Sequence, residues 1–526
     1  MRETIARLVG SENVRGDALI EEYRRNVSGL QRAIPLVVTP ASAAQVTSLV
    51  QLANEKALKL YPISSGRNWG LGSRLPVVDD CIILDLQKMN RIVELNERHG
   101  YVVIEPGVTQ IQLYEYLQAQ RSNHIFNVIG SGKDTSLIGN AMDRGIGYFS
   151  PRCENLSSLE VVLGNGETLR TGFSHFAHSQ VSALYRHGIG PSLDGLFFQS
   201  NFGIVTKASL DLISNEDEHA AILIALREDA NLAAYIDALA ALRRRGILQT
   251  AFHIANRERT RISVTPLLYR SYLRQGLPAP QALQKAEETF AREFRHNWAT
   301  MGGLLGTKEQ IRYSYRATRS LLKNLADVRL ITDRRIAWAE RILNVLSPFA
   351  AFRRKRLVLA ALETVYGYCK GMPSDSALDS VTWAVDKTLL ESGNPDRSDA
   401  GLLYALPLLP FDGHSLLECL KIVDEICGRH AFTPYMTFNM INDKCLESVI
   451  NIAYLRNDPA GNARAHQCIE SLNRAFLAGG LTPYRMGIYG MQDLFDPADR
   501  YWRIVRDLKQ VFDPNHVIAP RRYNLV

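Results

Sequence analysis

The residues best suited to chemistry lie in one loop, Pro62-Ile-Ser-Ser-Gly-Arg-Asn-Trp-Gly-Leu-Gly-Ser-Arg-Leu-Pro76, directly after the alternating apolar run 58–63. Gly66, Gly70 and Gly72 reach φ > 0 without steric cost, so successive amides can turn toward one concave point. Such a nest binds anions, phosphates above all; Ser64, Ser65 and Asn68 add side-chain donors and Arg67 a fixed charge. Alone, the loop reads equally as an anion cradle or as an ordinary Gly-rich surface loop. Other segments share its character. Residues 104–108 turn a strand sharply into a helix, 135–148 combine Gly139, Gly145 and Gly147 with Ser136 and Asn140, and 190–206 pair a turn with an apolar run. Several such loops, placed after strands, point to a large polyphosphate ligand held by backbone.

Two motifs invite a different reading and fail it. Gly130-Ser-Gly-Lys133 ends like a P-loop, but that motif requires glycine at 127 and Ser or Thr at 134, where Asn127 and Asp134 stand. Gly145-Ile-Gly147 lacks the third glycine and the βαβ spacing of a dinucleotide fingerprint.

The elements that must position these loops are short. Residues 34–40, 58–63, 81–86 and 101–105 read as strands, with amphipathic helices over 42–55 and, from a Thr109 N-cap, 109–120. Residues 159–163 and 167–171 flank Gly164-Asn-Gly166, a hairpin signal. Residues 1–30 read as helical, with Leu19 and Tyr23 on one face. Residues 35–213 thus form an α+β unit. From about 216 to 480, longer helices (232–244, 281–297, 334–346, 375–392) mix with strand-like runs such as 402–409, and the Gly-rich loops stop. This stretch reads as a separate domain. The tail, 500–526, opens as a helix and ends in Asp513-Pro-Asn-His-Val-Ile-Ala-Pro520.

Bulk properties bound the function. With 526 residues, two or three domains are expected, and 46% hydrophobic with 22% charged residues is a globular composition. A net charge of +7 is modest; it favours an anionic cofactor or substrate and does not argue for nucleic acid. The run Arg353-Arg-Lys-Arg356 reads as a solvated face. No stretch approaches a membrane span, and the charged N-terminus is unlike a signal peptide. The seven cysteines (Cys81, Cys153, Cys369, Cys419, Cys427, Cys445, Cys468) have neither paired spacing nor a CxxC motif, so neither disulfides nor zinc is expected and a reduced cytoplasmic setting fits.

The blocks PISSGRNWG, EPGVT, SLIGNAMDRGIGY, EVVLGNGETLRTG, GPSLDGLFFQSNFGIVTK and DPNHVIAP, in this order, resemble the vanillyl-alcohol oxidase and p-cresol methylhydroxylase family of FAD-dependent oxidoreductases. The resemblance spans 35–213, weakens through the middle and returns at 481–526. It implies an α+β fold: a PCMH-type two-subdomain FAD-binding domain built from segments 1–214 and 481–526, with an α+β cap domain over 215–480. By the same resemblance, Ser64, Ser65, Gly66, Arg67, Asn68, Trp69 and Gly70 cradle the pyrophosphate, and Pro106 and Gly107 lie along the cofactor. Leu137, Gly139, Asn140 and Gly147 contact flavin or ribityl; Gly203, Ile204 and Val205 approach the adenine end. A small organic substrate (alcohol, amine, or phenol-like or other activated C–H compound) then passes a hydride to flavin N5, with O₂ or an acceptor protein reoxidising it. Expected partners are the small-molecule substrate, an electron-acceptor protein and a second copy of the chain, with no nucleic acid or membrane.

The chain also departs from the family. Relatives that oxidise para-substituted phenols hold the phenolate with two tyrosines and an arginine. Tyr484-Arg485 match the C-terminal pair, but Leu71 stands where the third member is tyrosine. The aspartate beside N5 falls in a shorter loop here, residues 148–155, whose nearest counterparts are Cys153 and Glu154, with Glu154 a candidate base. The cap position that carries a flavin linkage in relatives aligns with Leu402. Tyr404, two residues on, and Cys153 are the weaker candidates, so non-covalent FAD is expected. Two rival functions follow from these departures: a tailoring enzyme performing oxidative cyclisation or oxygenation, and a non-catalytic flavin-binding subunit.

Overall fold

The computed structural model describes residues 1–215, 218–346 and 349–526. Its first sheet has the order Val14–Arg15, Val37–Val38, Cys81–Asp85, Lys59–Ile63, the last three strands parallel. The crossover helix Ala43–Lys56 starts at Ser42, whose hydroxyl accepts the Gln45 N–H at 3.3 Å, and presents Val46, Leu49, Val50 and Ala53 to the core. The tail returns beside this sheet: the Leu60 N–H donates to Val517 and the Ala519 N–H to Leu60, both at 2.7 Å. A second, antiparallel sheet has the order Ile92–Asn96, Tyr101–Ile104, Gly203–Asp211, Leu156–Leu163, Thr168–Arg170.

The third sheet has eight strands, all antiparallel. Its path runs Ala326–Ile331, Glu218–Leu226, Trp298–Gly306, His253–Asn256, Tyr435–Met440, Cys445–Leu455, Ala400–Ala405, with Leu408–Pro410 paired to Cys445–Leu455. Helices Leu232–Arg244, Gly413–Arg429 and Pro459–Ala478 cover one face, where Ile254, Leu403, Ala405, Met436, Phe438, Met440, Ile450 and Ile452 join the largest apolar core. Strand periodicity of two then sends His253, Asn439, Glu447 and Tyr404 to the opposite face. A one-residue slip would turn Phe438 or Ile450 out of the core at about 1.5–3 kcal/mol each, so the apolar face fixes where the polar residues stand.

Several sequence expectations are corrected. Of residues 375–392, only Asp379–Trp383 is helical. The buried Asp379 carboxylate accepts the Leu390 N–H at 3.0 Å and two Arg270 bonds at 2.8 Å, folding the chain back on itself. The run 402–409 is two strands, because Leu406 gives its carbonyl to the Tyr484 N–H and Pro407 has no N–H to give. Residues 1–30 break at Gly10 (φ 92) between helices Arg2–Val9 and Asp17–Arg24, with Tyr23 buried and Leu19 exposed. The helix expected over 281–297 is Ala279–Glu293, and residues 34–40 contribute only Val37–Val38. Among the described residues no helix is long and apolar enough to cross a membrane, and no His, Cys, Asp or Glu group is arranged to hold a metal.

The tail is anchored by one fully buried ion pair. Lys509 Nζ donates to Asp513 Oδ2 at 2.6 Å, to the Ile518 carbonyl at 2.8 Å and to the Asn201 carbonyl; Asp513 also accepts the N–H groups of Val517 and Ile518. Lys509→Met leaves that carboxylate buried without its cation, a loss of about 3–5 kcal/mol. The check is a lowered urea midpoint; an unchanged midpoint would mean that backbone pairing alone holds the tail.

Candidate active site

An open cleft runs between the first two sheets. Of the residues expected at a cofactor, Ser64, Ser65, Gly66, Arg67, Asn68, Pro106, Gly139, Asn140, Gly203, Ile204 and Val205 line it. Gly66, Gly70 and Gly72 take φ of 64, 76 and 122°, the left-handed values that the loop reading required. The loop is braced from below: Ser65 Oγ accepts the Ser136 N–H at 2.9 Å, while Ser136 Oγ caps the helix Leu137–Met142 through the Gly139 N–H and donates to the Pro106 carbonyl. Gly139 admits no side chain, since a Cβ there would stand 2.7 Å from Ser64 Oγ. Asn140 Oδ1 is buried without a hydrogen-bond partner in the cleft wall. Arg67 is held loosely, 3.4 Å from Asp134 and 5.4 Å over the Trp69 ring; burial lowers its pKa, against the pull of Asp134. A donor-rich cradle with a weakly neutralised guanidinium fits a pyrophosphate.

Five of the expected contacts stand elsewhere. Trp69 is buried and donates from Nε1 to Asp396 at 3.2 Å. Gly70 abuts Tyr404, where a Cβ would lie 2.5 Å from the ring. Gly107 lies against the Gln87 carbonyl, Gly147 against Asn127, and Leu137 is fully buried in the core of the second sheet. These residues shape the cleft without lining it.

Tyr484 and Arg485 point different ways. Tyr484 lines a second cleft of about 870 Å³ together with Cys153, Glu154, Arg144, Arg186 and Asn442. Glu154 is exposed on its rim, and partial desolvation raises its pKa against the pull of Arg186; burial also raises the Cys153 thiol. Arg485 instead faces Asp143, at 3.7 Å, and Asp143 lines the first cleft. Asp143 also accepts from Arg522 Nη2 at 2.6 Å, and Arg522 Nη1 donates to the Tyr61 hydroxyl at 3.0 Å. One carboxylate thus serves two guanidiniums and leaves this end of the cleft positive. Burial opposes the charge on Arg485, but Asp143 and Glu447 outweigh it and hold its pKa above the ordinary value.

The polar face of the eight-stranded sheet completes the arrangement. Asn439 Nδ2 donates to Glu447 Oε2 at 2.6 Å and Asn439 Oδ1 meets His253 Nδ1 at 2.6 Å, so Nδ1 carries the proton and Nε2 keeps a lone pair. That Nε2 is buried and unpartnered, and burial lowers the His253 pKa to about 4, so the ring is neutral. The Tyr148 ring packs on His253 at 4.5 Å and stacks on Tyr368 at 4.8 Å. Above it stands Arg259, from the first turn of the helix Arg257–Arg274. Its Nη1 is buried without a partner, and among the described residues its guanidinium makes no hydrogen bond or ion pair. Tyr404 feels both Arg259 and Arg485, and burial raises its pKa and that of Tyr148. Neither hydroxyl makes a hydrogen bond among the described residues, and both side chains keep some accessible surface. Together these groups place aromatic rings beside unused donors and acceptors on the polar face of the sheet.

Sequence reading missed Tyr61, Asp143, Arg522, His253, Arg259, Asn439 and Glu447. Asp143 and Arg522 sit inside or next to blocks already singled out, so their charge was a usable signal. His253, Asn439 and Glu447 are polar positions in largely apolar strands, which only the sheet register brings together, and Arg259 is one of several charged residues opening its helix.

Residues 34–172 match the family described as FAD binding domain. The chain is 33% identical over 500 residues to 1'-carboxy-chondrochloren decarboxylase of Chondromyces crocatus, covering 93% of this chain and 90% of that protein. It is 25% identical over 525 residues to the 4-cresol dehydrogenase [hydroxylating] flavoprotein subunit of Pseudomonas putida, covering 98% and 93%. Its fold matches 4-ethylphenol oxidase from Gulosibacter chungangensis with a TM-score of 0.84 at 24% identity, covering 100% and 96%. With the cradle, the returning tail and these near full-length matches, the chain belongs to the p-cresol methylhydroxylase-type family of FAD-dependent oxidoreductases.

Proposed function

We propose that this chain oxidises a para-substituted phenol bearing a carboxylate, and that the oxidation releases the carboxylate as CO₂. The observation that carries this reading is the polar face of the eight-stranded sheet: Tyr404 within electrostatic reach of two guanidiniums, and two tyrosine hydroxyls, one Arg259 nitrogen and one imidazole nitrogen left without partners among the described residues. The relative named as a decarboxylase of a carboxy compound supports the leaving group, and those named for 4-cresol and 4-ethylphenol support the phenol.

Bound FAD supplies the hydride acceptor. Ser64, Ser65, Gly66, Arg67 and Asn68 would hold its pyrophosphate, with Pro106, Gly139 and Asn140 toward the flavin and Gly203, Ile204 and Val205 toward the adenine. The net change on a 3-(4-hydroxyphenyl)propanoate-type anion removes a hydride from the benzylic carbon and breaks the C–COO⁻ bond, whose electron pair becomes the alkene. The negative charge leaves with the hydride, so a neutral vinylphenol and CO₂ balance the equation. Arg485 would hold the phenol oxygen as negative charge builds there, since a charge-assisted hydrogen bond is about twice as strong as a neutral one. Leu71 has no hydroxyl to offer, but its neighbour Gly70 abuts the Tyr404 ring, so Tyr404 reaches the same region from the cap. His253 Nε2 would accept the phenol proton or relay it, positioned by Asn439 and Glu447.

For reoxidation, a relative named as a flavoprotein subunit favours a protein acceptor and a neighbour named as an oxidase favours O₂. Non-covalent FAD is supported by Leu402, which packs with Val27 and Trp69 and has no atom to form a link, and by Cys153, which lines the other cleft.

Mixing the yellow protein anaerobically with 3-(4-hydroxyphenyl)propanoate is expected to bleach the visible flavin band, with 4-vinylphenol and CO₂ formed in step. Bleaching without CO₂ would reduce the reading to simple dehydrogenation, and no bleaching would sink it. Acid precipitation is expected to leave the flavin in the supernatant; colour in the pellet would mean a covalent link. Because His253 is neutral down to about pH 4, the rate of flavin reduction is expected to show no inflection near its ordinary value of 6.5. A rate that fell as pH dropped through 6.5, and that lost this limb in His253→Gln, would show the imidazole titrating normally.

A further inference from the structure

We infer that Arg259 is the receptor for the substrate's carboxylate, and so the residue that makes the chain select acids over neutral phenols. The inference rests on the carboxylated-phenol reading above. Its own basis is the treatment of charge in the interior. Arg485 and Arg522 share Asp143, and Glu447 also bears on Arg485. Arg67 faces Asp134 at the opposite, pyrophosphate-binding loop. Arg152, the other deeply buried arginine short of an acid, donates from Nε and Nη2 to the Asn127 carbonyl and from Nη2 to Gln110 Oε1, and is closed off completely from solvent. It serves the loop, and no ligand reaches it.

Arg259 differs on each point. Burial lowers its pKa, and the groups that offset this are Tyr404 and Tyr148; among the described residues no carboxylate pairs with it. All five donors of its guanidinium lack hydrogen bonds among the described residues, and the side chain still keeps accessible surface. A desolvated cation in that state is costly unless an anion completes it. One guanidinium suits a planar monoanion bound through two parallel N–H bonds better than a phosphate dianion. Tyr148 and Tyr404 stand within electrostatic reach of Arg259, and Tyr404 within reach of Arg485 as well, so a phenol with an acidic side chain could meet both guanidiniums. The helix position matters as well: Arg259 stands in the first turn after Asn256, whose side chain accepts the Arg259 N–H at 2.9 Å, so its backbone is fixed while its guanidinium is not.

The test reads binding apart from turnover. FAD-loaded protein and its Arg259→Met and Arg259→Lys variants are titrated with 3-(4-hydroxyphenyl)propanoate and with 4-propylphenol, in which a methyl group replaces the carboxylate. Dissociation constants come from calorimetry, and bound FAD is quantified for each variant. The unmodified protein is expected to favour the acid at least ten-fold. Arg259→Met is expected to bring the ratio of the two constants close to one, with Arg259→Lys between them and FAD content constant. An unchanged ratio in Arg259→Met overturns the inference. So does equal weakening of both ligands, which would mark a packing role, and so does loss of FAD, which would put Arg259 on the cofactor. Failure of the decarboxylation reading looks different: the acid binds with the expected preference and no CO₂ appears.

Discussion

The two-residue period of one antiparallel sheet governs the site. Ile254, Phe438, Met440, Ile450 and Leu403 must face the helices that cover the eight-stranded sheet, and each is buried. Their neighbours His253, Asn439, Glu447 and Tyr404 are thereby driven to the other face, inside the protein rather than into water. A buried polar group left unmatched costs about 1–3 kcal/mol, so such a face is tolerable only if its members satisfy one another or a ligand does. The chain does the first for Glu447, Asn439 and one nitrogen of His253. It leaves the second nitrogen and Arg259 open. Stability of the apolar face thus guarantees the register of the reactive one, and the chemistry needs no flexible loop to assemble it.

Two buried anchors then fix this face against the cofactor cradle. Asp396, just before the strand Ala400–Ala405, accepts from Trp69 Nε1, from Ser73 Oγ at 2.7 Å and from the Val27 N–H at 2.9 Å. Burial raises its pKa and its donors resist, so the carboxylate acts as a clasp for the far end of the Gly-rich loop. The segment around Tyr484 is the second anchor. Its N–H bonds Leu406 at 2.8 Å, Ile488 bonds the Leu71 carbonyl at 3.1 Å, and the Tyr489 hydroxyl donates to Gly70 and Tyr404 carbonyls at 3.0 and 2.9 Å while accepting the Tyr404 N–H. The Gly-rich loop that lines the cleft is therefore the same piece of chain that is stitched to the cap sheet, and a displacement at either end is felt at the other.

This explains what the sequence disclosed. A nest of backbone amides needs glycine at positions of positive φ and polar residues close by in the chain, so its parts are contiguous and readable at Ser64–Gly70 and near Gly139. The α+β class and most strands of the first two sheets were readable for the same reason, as local runs between turns. Trp69, Gly70, Gly107, Leu137 and Gly147 show the limit: they belong to the right motifs but meet protein, because a motif records both what touches a ligand and what supports the part that does. The helix expected over 375–392 failed because a tertiary interaction, the buried Asp379 with Arg270 and Leu390, overrode local periodicity. His253 and Glu447 were invisible because each is a polar residue in a stretch otherwise explained by packing, and Arg259 because it is one of several charged residues opening its helix; a pairing across 186 residues of chain brings His253 to Asn439.

The unsatisfied groups also bear on how selective such a site can be. An apolar pocket discriminates weakly, since one methylene more or less is worth only about 1–3 kcal/mol. A pocket with buried donors and acceptors waiting for a partner rejects a ligand that lacks the matching group far more strongly, because binding then seals the unmatched groups away from water. Here Arg485 and Arg522 share Asp143 whatever the substrate, with Glu447 also bearing on Arg485, whereas among the described residues Arg259 has no carboxylate partner. The first arrangement suits charge that appears during a reaction, and the second suits charge that the substrate brings with it. On the proposed reading, the loss of tyrosine at Leu71 is then no defect. On the same reading the phenol end would be held by Arg485 and a tyrosine from the cap, and selection would lie at the end of the substrate that leaves.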